Sequence, residues 1–245
     1  MVNSKKIKKK PIRRSAKAGL DLSIAKIEKT LKEVVKKSDI IPGYMLGKIR
    51  VSEGGAIYLA GVIEHLAITI LELSCQNVKK KTITIDTIVT AIQSEPSLNA
   101  YIYGNNCSEE KTSTGMCPCG ISKIPKELGG KITNSDIKTL SHDEFLIYDK
   151  SRIISETDFR RIIKKTVHQK YNLQIRQNAV EYLIILIQNI ADMLSNHAIN
   201  ATLTLRNVTI TTKPVQMGVK NSIPESLSKT CVEKATIATT RYSSY

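Results

Sequence analysis

The residues best equipped to do chemistry in this sequence are its cations. Lys5, Lys6, Lys8, Lys9, Lys10, Arg13 and Arg14 crowd the first fourteen positions, and their self-repulsion predicts a disordered basic arm over residues 1–14. A second run, Lys79, Lys80 and Lys81, stands just before Thr82. In all, 37 Lys and Arg face 22 Asp and Glu, a net charge of +15 and an isoelectric point near 9.6. That surplus calls for a polyanionic partner, nucleic acid ahead of an anionic membrane surface. The low aromatic content, with two Phe and no Trp, argues against recognition by stacking unpaired bases, which needs exposed aromatic platforms. The chemistry indicated is ion pairing with duplex phosphates; the arm also fits a nuclear import signal.

Other chemistries find little support. Cys107, Cys117 and Cys119 cluster in a Gly-, Ser- and Thr-rich stretch with His142 beyond, but their spacing matches no zinc-ligand pattern. Five Cys is an odd number, which points to free thiols in a reducing compartment. There is no phosphate-binding Gly loop, no paired-histidine metal motif and no nucleophile elbow, so the expectation is no enzyme and no cofactor. His65, His168 and His197 fall on or near helical segments and read as core or interface residues. No apolar run approaches the roughly 20 residues a bilayer requires, and no apolar stretch follows the basic N-terminus. A soluble, non-secreted chain with no membrane partner and no small-molecule substrate is expected.

The elements that must carry the cations are helices. Ile24, Ile27, Leu31 and Val34 recur at helical spacing behind Ser23, a candidate cap. A loop with Pro42, Gly43 and Gly47 leads to a long helix from about Gly55 to Asn77, apolar around much of its girth. Such a helix must be sandwiched or cross a similar one. Thr84 then caps a short helix with Ile85, Ile88, Val89 and Ile92. The same order recurs. Ser155 and Asp158 start a helix with Phe159, Ile162, Ile163, Thr166 and Val167, and a loop at Asn172 and Gln174 precedes a long helix from about Gln177 to Ala201. Thr209-Ile210-Thr211 then repeats the pattern of Thr82-Ile83-Thr84 ahead of a helix with Val215 and Val219. An internal duplication is implied, its copies joined by a connecting segment at 105–152 with little regular structure.

Helices in the order short, long, short, with a brief extended strip before the last, resemble the histone fold. Arg14-Ser15-Ala16-Lys17-Ala18-Gly19-Leu20, Ala56-Ile57-Tyr58-Leu59-Ala60-Gly61-Val62-Ile63-Glu64-His65-Leu66, Ile70-Leu71-Glu72-Leu73 and Leu98-Asn99-Ala100-Tyr101-Ile102-Tyr103-Gly104 are similar to the type 2A core histones. Leu128-Gly129-Gly130-Lys131-Ile132 resembles that family's docking extension toward the type 3 histone, placed here at residues 120–137. In the second copy, Pro224-Glu225-Ser226-Leu227-Ser228-Lys229 and Arg241-Tyr242-Ser243-Ser244 resemble the extra C-terminal helix of type 2B histones. The resemblance implies an all-α chain: a type 2A-like fold at 15–104 and a type 2B-like fold at 153–245, paired head to tail. Fused pairs of this kind are a feature of large DNA viruses.

What the resemblance implies about function follows by position. The chain would bind double-stranded DNA without sequence preference and package it with type 3 and type 4 histones, separate or fused as a second doublet. It would reside on chromatin in a host nucleus, or in a viral factory and virion. Arg50 stands where the family inserts an arginine into the minor groove; Arg14, Lys17, Lys26 and Lys29 follow the basic positions of the first helix and its approach. Lys80 and Lys81 match the second-loop lysines, and Arg176 and Arg206 lie at the loop ends of the second copy. Ile83 replaces the second-loop arginine, and residues from Asp39 to Lys48 form an insertion. Asp143, Glu144 and Asp149 stand where type 2B histones are basic, so weaker DNA wrapping is expected. Of the family's acidic patch, Glu64, Glu72 and Glu95 remain, while Thr69, Pro96, Ser97, Ser226 and Lys234 occupy other carboxylate positions. Poor recognition of arginine-anchored chromatin factors follows. The competing readings are a sequence-specific transcription factor on the same fold, and an interaction module whose charge is incidental.

Overall fold

In the computed structural model of this chain, residues 12–45, 47–78, 81–103, 154 and 156–245 are described. The first helix, α1 (Arg14–Ala18), stops at Gly19, whose φ of 72° is the left-handed conformation in which helices end most easily on glycine. The expected disordered arm therefore cannot extend through Arg14, which opens this helix. Its guanidinium lies 2.9 Å from Glu28 and 3.3 Å from Glu53, and that neutralisation removes the repulsion on which the expectation rested.

In α2 (Ile24–Lys37), Ile24, Ile27, Leu31 and Val35 form the buried stripe. Ser23 occupies the N-cap position, but its side chain makes no cap bond; the Ile24 N–H donates instead to Ser15 Oγ at 3.2 Å. The insertion after α2 folds into a short 3-10 turn, Gly43–Met45, flanked by buried Ile41 and Ile49. Strand β1 (Arg50–Val51) then leads into the long α3 (Glu53–Gln76), where Ser52 Oγ accepts from the Gly55 N–H at 3.0 Å. After β2 (Thr82–Ile83), Thr84 and Thr87 cap α4 (Ile85–Ser94) reciprocally. An eight-residue helix not expected from the sequence, α5 (Pro96–Tyr103), follows.

The second half repeats this order. Helix α6 (Glu156–Ile163) continues in wider π-type turns over Lys164–Lys170, and β3 (Gln174–Ile175) precedes the long α7 (Gln177–Thr204). Strand β4 (Thr209–Ile210), α8 (Thr212–Ser222) and α9 (Glu225–Ser243) complete it. Ser155, the expected cap of α6, lies outside the described residues, and Thr211 stands at the N-cap of α8 without a side-chain cap bond.

The two halves share one core. Helix α3 packs on α7, α8 and α9 of the second half as well as on α2 and α4, and α7 receives α2, α4, α6 and α8. Leu59, Ile63, Leu66 and Ile70 lie in the same cluster as Leu183, Ile187, Ile190 and Leu194, each at most 1% exposed. This is what an all-round apolar helix demands, because a single short neighbour cannot cover it. Helix α3 also corrects the expectation that no segment could span a bilayer: its 24 residues reach a mean hydropathy of 1.7 in an 18-residue window. Gly61, Glu64, His65, Thr69 and Glu72 interrupt its apolar runs, but the Ile, Leu, Val and Ala between them keep the mean high. The window is 72% buried, so its apolar surface is taken up by the core.

Two parallel strand pairs join the halves reciprocally. Arg50 faces Thr209 and Val51 faces Ile210; Thr82 faces Gln174 and Ile83 faces Ile175. The first pair is crowded, since a Cβ on Gly55 would lie 2.5 Å from the Ile210 carbonyl oxygen, which already accepts from the Ser52 N–H and Oγ–H. Gly55→Ala is expected to cost about 1–3 kcal/mol by overpacking, read as a lower urea midpoint; an unchanged midpoint would show that the strands yield freely.

Candidate nucleic-acid interface

The strand pairs place cations from distant parts of the chain side by side. At the β1–β4 pair, Arg50 is exposed within β1, and its N–H donates to the Val208 carbonyl at 2.8 Å. Arg206 is exposed three residues before β4, held in the left-handed region at φ 53°. At the β2–β3 pair, exposed Lys81 precedes β2, and its carbonyl accepts from the Gln174 N–H at 2.9 Å. Exposed Arg176 follows β3, its N–H donating to the Ile83 carbonyl at 3.1 Å. Among the described residues none of these four makes an ion pair, so their charge is open to an outside anion.

Helix starts converge on the same two places. Helices α3 and α8 begin within two residues of β1 and β4, and α4 and α7 within two residues of β2 and β3. Each start leaves backbone N–H groups without intrahelical acceptors at the positive end of the helix dipole, which suits phosphate oxygens. Lys48 and Lys213, both exposed and flanking the β1–β4 pair, were not singled out from the sequence. The signal was there for Lys213, which follows Thr209-Ile210-Thr211 by two positions. Lys80 lies outside the described residues.

The other candidate cations are engaged elsewhere. Arg14 holds Glu28 and Glu53; Lys26 lies 3.0 Å from the buried Asp158 carboxylate and so ties α2 to α6. Lys17 sits over the Tyr242 ring at 5.9 Å, while the Tyr242 hydroxyl donates to Glu53 at 2.6 Å. Lys29 stays exposed, 3.7 Å from Glu33. Ile83 does not replace an outward arginine. It is fully buried and points into the core, so it cannot stand where an arginine would reach DNA; half-buried Thr82 is the outward residue of β2.

The acidic remnant is also reassigned in part. Glu64 is 7% exposed, and its Oε2 accepts from the backbone N–H groups of Asp21 and Leu22, both at 2.8 Å. It pins the α1–α2 turn to α3 and offers nothing to a docking partner. Burial pushes its pKa up to about 7, against the lowering effect of those N–H bonds. A raised carboxyl pKa means that the folded state holds its proton more tightly than the unfolded one. Its contribution to stability is therefore full below about pH 4.5 and is lost as pH rises through about 7. Glu64→Gln, which keeps an oxygen to accept both bonds and never ionises, is expected to raise the melting temperature at pH 8 and to leave it nearly unchanged at pH 4.5. A lower melting temperature at pH 8 would count against this account. Glu72 is paired with Lys170 at 2.6 Å, and half-buried Glu95 closes α4. Ser97 on α5 and Ser226 on α9 hydrogen-bond to each other at 2.8 Å, with no carboxylate at either position.

His65 and His197 are half-buried, and burial lowers the pKa of both. His168, expected in a core or interface, is exposed, its Nδ1 2.7 Å from the Leu173 carbonyl. Cys75 and Cys231 are buried thiols pushed up to about 11 and about 12 by burial. Cys107, Cys117, Cys119, His142, the docking segment at 120–137 and the acidic trio Asp143, Glu144 and Asp149 lie outside the described residues. Among the described residues no group of three His, Cys, Asp or Glu side chains could hold a metal ion.

Comparison with known proteins gives a relation to the histones over part of the chain. Variant 1 of the type 2A histone of Arabidopsis thaliana is 33% identical over 100 residues, 40% of this chain and 66% of that protein. A type 2A histone of Euphorbia esula is 32% identical over 102 residues, covering 40% and 58%. A type 2A histone of Plasmodium falciparum is 35% identical over 95 residues, covering 37% and 62%. The chain thus spans less than two thirds of the length of each. No family model matches, and no solved structure matches. The similarity and the predominantly helical architecture together support a histone-fold relation.

Proposed function

We propose that this chain packages duplex DNA as two fused histone folds. The first occupies residues 15–104 in the manner of a type 2A histone, and the second occupies 153–245 in the manner of type 2B. The segment 105–152 connects them, and a basic arm precedes Arg14. The observation that carries the reading is the reciprocal strand pairing, which brings Arg50 beside the loop of Arg206, and Lys81 beside the strand that Arg176 follows. Four cations that make no ion pair among the described residues, and four helix starts, meet at two junctions. Such junctions suit a phosphate backbone, the contact that positions a protein on DNA without reading its sequence. Histone octamers are the established case of binding through backbone contacts and DNA deformability, and the partial similarity to type 2A histones makes that case the relevant one. Binding is assigned to Arg50, Lys81, Arg176 and Arg206, with Lys80 beside them in sequence. Arg14, Lys17 and Lys26 serve chiefly to hold helices together. Type 3 and type 4 histones, separate or fused, are the protein partners this reading requires. It also places the chain on chromatin, in a host nucleus or in a viral factory and virion.

Competition between unrelated DNA duplexes tests the reading. Affinities within about tenfold of each other and a steep linear fall of log affinity with log salt are expected. A preference of roughly a thousandfold or more for one sequence would mark a transcription factor instead. Nuclease protection after mixing with DNA and a type 3 plus type 4 pair then reads out packaging.

A further inference from the structure

A groove of about 460 Å³ opens between the α1–α2 turn, the middle of α3 and the last turns of α9, among residues to which DNA binding assigns no part. Leu20, Ile68 and Ile237 give it an apolar lining, and Ile237 is 37% exposed, a large apolar side chain left open to water. Among the residues that line the groove, the open charge is positive. The Glu64 carboxylate is turned to the backbone N–H groups of Asp21 and Leu22, and Glu72 is closed by Lys170. The pKa of His65 is lowered by burial and then by Lys234, against the raising effect of Glu72 and Glu233. Lys234 and Arg241 remain, both exposed and neither in an ion pair among the described residues. They lie seven residues apart on α9, two helical turns or about 10 Å, with Ile237 and Ala238 between them on the same face. The Arg241 guanidinium lies over Gly19, where a Cβ would stand 2.9 Å from Nη1, so the missing side chain leaves room for the cation.

We infer that this groove docks an acidic peptide segment of a partner protein: carboxylates roughly 10 Å apart for Lys234 and Arg241, with an apolar side chain between them for the strip at Ile68 and Ile237. Charge complementarity selects this occupant. An arginine-anchored segment would meet two cations and, among the residues that line the groove, no free carboxylate except through displacement of Lys170, exposed Glu233 lying outside that lining. The inference does not depend on DNA packaging, because none of its residues lies at the strand pairs.

The probe is a synthetic fluorescent octapeptide in which a Leu-Phe pair is flanked on each side by three acidic residues, titrated into the full-length chain without DNA at physiological salt. Saturable binding is expected. It should weaken by about tenfold or more in the double variant Lys234→Glu, Arg241→Glu, and also when Leu-Phe is replaced by Ser-Ser. Arg50→Ala with Lys81→Ala should leave it unchanged. Should the charge-reversed variant fail to fold, Lys234→Gln with Arg241→Gln carries the same test at a smaller effect. The inference is overturned if the peptide does not bind, if an octapeptide with arginines in place of the acids binds as well, or if affinity follows Arg50 and Lys81 instead of Lys234 and Arg241. DNA affinity measured on the same preparations keeps the two readings apart: an unsubstituted chain that binds DNA but not the peptide sinks the groove alone.

Discussion

Replacing Arg50, Lys81, Arg176 and Arg206 together with alanine is expected to lower affinity for duplex DNA on the order of a thousandfold at physiological salt. Each phosphate contact on B-form DNA contributes about 0.9 to the slope of log affinity against log salt, so four lost contacts should flatten it by about 3–4. Folding should be little affected, because the four side chains are exposed and hold no carboxylate among the described residues; exposed substitutions of this kind usually stay within about 0.5 kcal/mol each. The contrast is with Arg14→Ala and Lys26→Ala. There the lost partners are Glu28, Glu53 and buried Asp158, so stability should fall more than DNA affinity. Filter binding over a salt series, with melting curves on the same variants, reads both. An unchanged salt slope in the quadruple variant would mean that the strand-paired junctions are not where phosphates meet the protein.

Leu66→Ala is expected to cost about 2–5 kcal/mol, and Ile187→Ala a similar amount, since both side chains are fully buried and the packed helices around them can relax only in part. The more telling readout is where the loss appears. Leu66 belongs to the first half of the chain, yet α3 packs on α7, α8 and α9 of the second. Amide exchange should therefore quicken in α3 and α7 together, with a single unfolding transition. Two folds with separate cores would confine the effect of Leu66→Ala to the first half and leave α7 protected. The double variant should depart from additivity, because the two positions share one cluster.

A pairing this intimate needs little protein. The two halves lie on one chain, so their association is intramolecular and does not depend on protein concentration. That matters for cationic junctions assembled from both halves. Arg50 and the loop of Arg206 meet only when β1 and β4 pair, and Lys81 meets the Arg176 strand only when β2 and β3 pair. Gly55 guards the first of these junctions: nothing larger fits beneath the Ile210 carbonyl without moving the strand.

The helical content, the repeated short, long, short order and the near limits of the long helices are legible in the residues alone, because apolar spacing and capping residues act over a few positions. So is the need for a polyanion, since net charge requires no fold. How each charge is used emerges only on packing. Lys26, Lys81 and Arg176 look alike in the sequence, but Lys26 faces the buried Asp158 while the other two face water. Glu64 reads as a surface carboxylate until the α1–α2 turn closes over it. The side of β2 on which Ile83 falls is fixed by its partner Ile175, more than ninety positions away. Helix-forming preferences are local, whereas burial and electrostatic pairing depend on which distant segments come within a few ångströms, and only the packed chain specifies that.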